Sequence, residues 1–237
     1  LPRVYDLALE VISHGDGRID DETLVRFVAA YQTIHQLTLG ELWAIPIMLR
    51  LALIENLRRV GVRIGADRVH LNEAQDWANR MIEVASDDPK SLILVIADMA
   101  RSKPPMVSAF VAELSRRLQG QGPALALPLT WIEQRLGESS LTIEALVQAE
   151  NQQQAADQVS ISNSIGSLRF LGAMDWREFV ESMSCVEQVL RTDPAGVYRD
   201  MDFATRDHYR HVVDPLAKHR ALAEVAEKLA ADGRHRT

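Results

Sequence analysis

Apolar residues recur every three or four positions along most of this 237-residue chain, the period of a helix with one buried face. Val4, Leu7, Ala8, Val11 and Ile12 predict a first helix, ended by the turn-forming run His14-Gly15-Asp16-Gly17. Asp20 is placed to cap a second, whose stripe is Leu24, Phe27, Val28, Tyr31 and Ile34. Thr38-Leu39-Gly40-Glu41 has capping-box spacing, the hydroxyl reaching forward and the carboxylate reaching back. From Leu42 through Leu57 the helix so opened is apolar on nearly all sides, broken mainly by Arg50, Glu55 and Asn56. Such a helix is expected in the middle of a bundle. Pro46 lies too deep for the first turn and predicts a bend, because it removes an amide and crowds the preceding turn.

The same logic continues downstream. Ala74, Trp77, Ala78, Met81 and Ile82 form a separate stripe, and Asp88-Pro89 reads as a cap and first residue. Leu92 to Ile96 fits a buried strand by residue type, but the cap before it and Ala97-Asp98-Met99-Ala100 after it favour helix. Pro104-Pro105 breaks the chain before the stripe Val107, Phe110, Val111, Leu114 and Leu118. Gly120 to Pro123 is the clearest linker. Thr130-Trp131-Ile132-Glu133 offers a second capping box inside a short helix. Leu141 to Leu171 is mostly helical, and its run Asn151-Gln152-Gln153-Gln154 reads as solvated or partner-facing. Asp175 caps one amphipathic helix bearing Trp176, Phe179, Val180, Met183, Val186, Val189 and Leu190, ended by Asp193-Pro194-Ala195-Gly196. A loop, Val197 to Asp202, leads to Tyr209, Val212, Val213 and Leu216, and a last helix carries Leu222, Val225 and Leu229.

The class is all-α: roughly eleven helices and no strand, in an irregular bundle or a stack of antiparallel helix pairs. Residues 1–237 read as a single helical domain with a possible subdomain boundary near 120–123. No fixed-period repeat is present.

Composition supports that class. Aromatics are only 5% of the chain, and Gly and Pro are few. The 47% hydrophobic content excludes intrinsic disorder. A formal charge of −7 leaves no positive excess for phosphates, which excludes a general nucleic-acid partner. Cys185 is the sole cysteine, so neither an intrachain disulfide nor a cysteine-rich zinc site is possible. The longest uncharged stretch, Leu118 to Ile132, is interrupted by two glycines and two prolines, so no membrane-spanning segment is expected.

Phosphate loops, dinucleotide fingerprints, nucleophile elbows and HExxH pairs are all missing. Asp200-Met201-Asp202 has a spacing that suits a divalent metal, but Asp202 stands where the next helix needs a cap. His208 and His211 share a helix face with Asp207, yet Arg206 and Arg210 beside them oppose a cation, and a salt-bridged face is the simpler reading. Cys185 has no legible basic partner and reads as an inert thiol. The segment 197–202 gathers a phenol, a guanidinium and two carboxylates. It suits either a partner or sugar site, or a loop held by its own ion pairs. Trp176, Tyr198, Arg199, Asp200, Asp202 and Arg206 are therefore the candidate ligand or partner surface, with no catalytic, cofactor or metal residue assigned.

Two windows go further than pattern. Residues 39–60 (LGELWAIPIMLRLALIENLRRV) resemble the N-terminal region of bacterial cyclic β-1,2-glucan synthases. So do Pro2 to Ala8 and the stretch running from Asn151-Gln152-Gln153-Gln154 through Asp175-Trp176 to Asp193–Asp207. The resemblance implies a piece of a very large inner-membrane enzyme that polymerises and cyclises glucose from UDP-glucose. It also implies a place on the cytoplasmic side, before the first membrane segments. Its partners would then be the transferase domain and membrane segments of the same polypeptide. The implied divalent metal, Mg or Mn, would serve the transferase, and no cofactor is expected in this segment. None of that family's catalytic motifs has a counterpart here. The expected function is a non-catalytic structural or regulatory domain; the alternative is a carbohydrate- or nucleotide-sugar-binding module.

Overall fold

The computed structural model describes residues 2–194 and 196–216, and among these every regular element is helical. The ten α-helices are α1 (Arg3–His14), α2 (Asp21–Gln32), α3 (Leu39–Asp87), α4 (Leu92–Ser102), α5 (Ser108–Leu118), α6 (Ala126–Gly137), α7 (Ile143–Ala173), α8 (Trp176–Met183), α9 (Cys185–Leu190) and α10 (203–216). Short 3₁₀ turns occupy Pro89–Ser91, Pro123–Leu125 and Val197–Asp200. The all-α class is borne out. The expected helix around Leu222, Val225 and Leu229 lies outside the described residues.

Two boundaries differ from the expectation. The 38–57 and 74–82 stripes belong to one 49-residue helix, α3, which also runs through Pro46. Nothing between the two stripes stops a helix: Gly61 and Gly65 weaken it by about 1 kcal/mol each but cap nothing. Conversely, the single helix expected over 176–190 is split at Ser184, whose extended backbone ends α8 and starts α9. Its hydroxyl accepts from Glu187 N at 3.2 Å, the local competition with helical hydrogen bonding that serine favours. Thr130 is not a cap either. Pro123 opens a 3₁₀ turn that feeds α6 upstream of it.

The chain divides into two compact units. One comprises the described residues of Leu1–Ile54 and Asn163–Thr237. Its core packs Leu7, Val11 and Ile12 of α1 and Leu24 and Val28 of α2 with Leu42, Ile45, Leu49 and Leu53 of α3, Leu171 of α7, and Phe179 and Val180 of α8. Local chemistry sets its helix starts. Asp20 accepts from Thr23 N at 2.9 Å, and Asp175 accepts from Arg177 N and Glu178 N. The capping box forms as read: Glu41 N donates to Thr38 Oγ1 at 3.2 Å, and Thr38 N donates to Glu41 Oε2 at 2.8 Å. Arg3 adds two hydrogen bonds to the same carboxylate. Polar ties then join distant parts of the chain. Ser167 Oγ donates to Gly17 O at 2.7 Å and accepts from Ile19 N at 2.8 Å, and Gln32 Nε2 donates to Met183 O at 2.9 Å.

The apolar start of α3 is not a central helix. Leu42, Ile45, Leu49 and Leu53 are buried, whereas Ile47, Leu51 and Ile54 on its other side are about half exposed. Only one face of this helix meets the core, and no described element covers the opposite one.

The second unit, Glu55–Ser162, has its own core of Ala74, Ala78 and Met81 (α3), Leu92, Val95, Ile96 and Met99 (α4), Phe110, Val111, Leu114 and Leu118 (α5), and Ile132 and Leu136 (α6). Leu92–Ile96 is helical, as the flanking residues suggested. Buried Glu113 is held by Arg116, Arg117 and Gln75, while Asp157 of α7 pairs with Arg63 of α3. Gly120–Pro123 lies within this unit, joining α5 to α6.

Candidate functional site

The break at Ser184 sets the geometry of the region that the sequence singled out. It turns Glu187 of α9 inward, leaving that carboxylate 1% exposed. Buried carboxylates need paired charges and hydrogen bonds, and Glu187 finds three donors. Tyr198 Oη donates to Oε2 at 2.5 Å, Arg210 Nη1 to Oε2 at 2.6 Å and Arg191 Nε to Oε1 at 2.7 Å. Glu181 of α8 extends the cluster, accepting from Arg206 Nε at 3.1 Å and Arg210 Nη1 at 2.9 Å. Asp207 completes it at 3.1 Å from Arg210 Nη2. Three carboxylates thus balance three guanidinium groups.

Fully buried Arg210 is the hub. Its guanidinium also lies 5.1 Å from the centre of the Phe203 ring, which meets Trp43 of α3 edge-on at 6.3 Å. Only its Nε has no partner among the described residues. Electrostatics follow from this packing. Burial pushes Glu187 upward, but the bonds from Tyr198, Arg191 and Arg210 outweigh it and hold the group below its ordinary value. Burial raises the Tyr198 phenol, and the Glu187 charge raises it further. Glu187 therefore stays ionised, and Tyr198 a neutral phenol, across the neutral range.

The candidate surface residues are placed as follows. Tyr198 is 4% exposed and spent on Glu187. Arg206 reaches Glu181 and donates to Met201 O at 2.6 Å. Asp202 caps α10, accepting from Thr205 N at 2.9 Å and Thr205 Oγ1 at 3.0 Å. Trp176 packs on Phe179 and donates to Leu171 O. Arg199 is exposed and donates to Arg191 O, and Asp200 is exposed. Of the six, Tyr198 and Arg206 place their side chains in the ion cluster; Arg199 meets it only through the Arg191 carbonyl, and Asp202 through the first turn of α10. His211 Nδ1 lies 2.8 Å from Asp207 O, and among the described residues no three His, Cys, Asp or Glu side chains form a metal-ligand group.

Sequence reasoning missed Glu181, Glu187 and Arg191, and it placed Arg210 on a solvated or salt-bridged face although the side chain is fully buried. Glu187 did leave a signal: it follows Met183 by four and precedes Leu190 by three, a charge in phase with an apolar stripe. Such a charge needs buried partners.

Among the described residues, no helix is long and apolar enough to cross a membrane. No protein-family model matches the chain. Over 224 residues, 94% of this chain, the sequence is 29% identical to the cyclic β-(1,2)-glucan synthase NdvB of Rhizobium meliloti (strain 1021). The chain spans 8% of that protein's length. The resemblance carried by residues 39–60 and 151–207 thus extends over nearly the whole chain, which is similar to one segment of a far larger cyclic β-glucan synthase.

Proposed function

We propose that this chain is a non-catalytic helical segment of a cyclic β-1,2-glucan synthase, one that braces the transferase and membrane-proximal parts of the same polypeptide from the cytoplasmic side of the inner membrane. The supporting observation is where its chemistry goes. Glu181, Glu187, Asp207, Arg191, Arg206, Arg210 and Tyr198 bond one another in a closed, charge-balanced cluster instead of facing a substrate. That cluster locks α10 onto α8 and α9, a structural task. In this reading UDP-glucose and a divalent metal belong to the remainder of the enzyme, and no step of transfer runs through residues of this chain.

The test has two arms. The purified 237-residue chain, given UDP-glucose with Mg²⁺ or Mn²⁺, releases no UDP and transfers no glucose; turnover would refute the proposal. In the whole synthase, Arg210→Met lowers the amount of assembled enzyme while leaving turnover per assembled enzyme unchanged. A loss of turnover at normal abundance would count equally against it.

A second reading assigns carbohydrate or nucleotide-sugar recognition to Trp176, Tyr198, Arg199 and Asp202. The exposure of Arg199 and Asp200 favours it, whereas Tyr198 and Asp202 are engaged internally. Calorimetric titration with UDP-glucose, repeated on Arg199→Ala, separates the two.

A further inference from the structure

In the first unit, α2, the end of α7 and α8 enclose a groove of about 360 Å³. Its walls follow from helix phase. Asp175, the α8 cap, shares a face with Glu178 and Ser182 at spacings of three and four, a different face from the one that carries Glu181 into the ion cluster. Phe170 and Met174 stand four apart at the end of α7, and Asp21 and Val25 four apart on α2. Val25, Phe170 and Met174 pack against the core but stay only partly buried, which leaves the groove an apolar floor. Asp21, Asp175 and Glu178 form its rim, and all three are exposed.

The charge of this rim is unbalanced. Asp175 accepts from the Arg177 and Glu178 amides through one oxygen. The carboxylates of Asp21 and Glu178 make no hydrogen bond and no ion pair among the described residues. No lysine, arginine or histidine lines the groove. Cations close in sequence are committed elsewhere: Arg18 faces Asp20 at 3.9 Å, Arg26 faces Glu22 at 3.7 Å, and Arg177 lies 5.3 Å from the Phe203 ring. Glu41, Glu181 and Glu187 of the same unit, by contrast, each hold an arginine.

This chemistry selects an occupant. Anions are repelled, and a second copy of the chain, at a net charge of −7, would set the same acidic rim against itself. A bare metal ion is poorly served, because among the described residues no three His, Cys, Asp or Glu side chains form a ligand group. Lysine and arginine match both halves of the groove at once: their apolar stems lie along the Phe170 and Met174 floor while their head groups reach the rim carboxylates. Ion pairs at an exposed rim hold such a segment weakly. Occupancy therefore calls for a tethered partner, whose effective concentration is on the order of 1 mM. We infer that the α2–α7–α8 groove docks a lysine- or arginine-bearing segment of the same polypeptide, outside these 237 residues. The choice of partner rests on the bracing role proposed above, and the groove is one surface through which that role acts.

The probe is a synthetic amphipathic peptide of about 15 residues, with lysines flanking a leucine face. It is titrated into the 237-residue chain carrying methyl-labelled methionine, and the methyl signals are followed by NMR. The Met174 methyl signal shifts and saturates, while those of Met81 and Met99, in the core of the other unit, stay in place. An analogue with glutamate at every lysine gives no shift. The double variant Asp21→Asn/Glu178→Gln keeps its helical circular dichroism and weakens binding at least about threefold, as the loss of two exposed ion pairs predicts. Glu133→Gln/Glu144→Gln removes the same charge from exposed positions of the second unit and leaves binding unchanged. A motionless Met174 signal, equal binding of the glutamate peptide, or equal weakening by both double variants would overturn the inference. In the whole synthase, benzoylphenylalanine in place of the exposed Ser182 forms a photo-crosslink to a lysine- or arginine-bearing segment of the same polypeptide outside residues 1–237. A crosslink to another protein, a crosslink within residues 1–237, or none at all would overturn the choice of partner. Either failure leaves the non-catalytic reading to its own test, which is turnover.

Discussion

Tyr198 Oη and Glu187 Oε2 lie 2.5 Å apart, joining the 3₁₀ turn after α9 to a carboxylate that Arg210 also grips. Eleven residues separate them in sequence, and neither is accessible to solvent. Replacing Tyr198 by Phe removes a short bond to a buried charge and keeps the ring's packing. The expected loss is about 1–3 kcal/mol in urea unfolding, the range for a hydrogen bond to a charged group. A change within error would show that Arg191 and Arg210 alone satisfy the carboxylate.

Arg210 and Glu187 form the most deeply buried ion pair among the described residues, at 0% and 1% exposure of their side chains. Removing either partner strands the other. Glu187→Leu and Arg210→Met should each cost about 3–5 kcal/mol, but the double variant should cost clearly less than their sum. Chemical denaturation of the four-member cycle measures the coupling, and strict additivity would refute the pairing.

Glycine substitutions should split by position. A methyl group on Gly15 would collide with the Arg18 carbonyl, whose carbonyl carbon is also close. Gly15→Ala is expected to lower stability by about 1–3 kcal/mol, as steric overpacking does. Gly61 and Gly65 lie mid-helix in α3 with open space around an added Cβ. Alanine at either should raise stability by about 0.5–1 kcal/mol. Thermal melts of the three variants should shift in these opposite directions.

Acid should loosen the first unit through Glu41. Two bonds from Arg3, with help from Thr38, hold its carboxyl at about 2, below the usual 4.5. A lowered native value means the stabilisation is complete above the unfolded value and disappears as pH falls from about 4.5 to about 2. Because Arg3 is partly exposed, the contribution is expected to be only about 1 kcal/mol. The stability of Glu41→Gln, followed by urea titration at successive pH values, should fall less steeply in this window than that of the native chain.

What could be read from the sequence was local. Asp20, Asp175 and the Thr38–Glu41 box act on amides two or three residues away, so spacing alone revealed them. Apolar stripes gave the helical class for the same reason. The ion cluster was not legible, because Glu181 and Arg210 are 29 residues apart and meet only once Ser184 bends the chain. The length of α3 was misjudged because two apolar stripes looked like two helices, when the residues between them form a charged, exposed stretch of one. Tyr198 drew attention as a surface aromatic, and only the inward turn of Glu187 explains its burial.

The hydrogen bonds of Ser167 to Gly17 and Ile19 span 150 and 148 residues, and that of Gln32 to Met183 spans 151. A nascent chain leaving the ribosome therefore carries α1 and α2 through about 150 further residues before these particular partners emerge. Residues 55–162, by contrast, emerge as one uninterrupted run and are free to condense first. Maturation is then expected to proceed from the inside of the sequence outward. The exposed Leu7, Leu24 and Leu42 surfaces would be the interval's main hazard for misassociation.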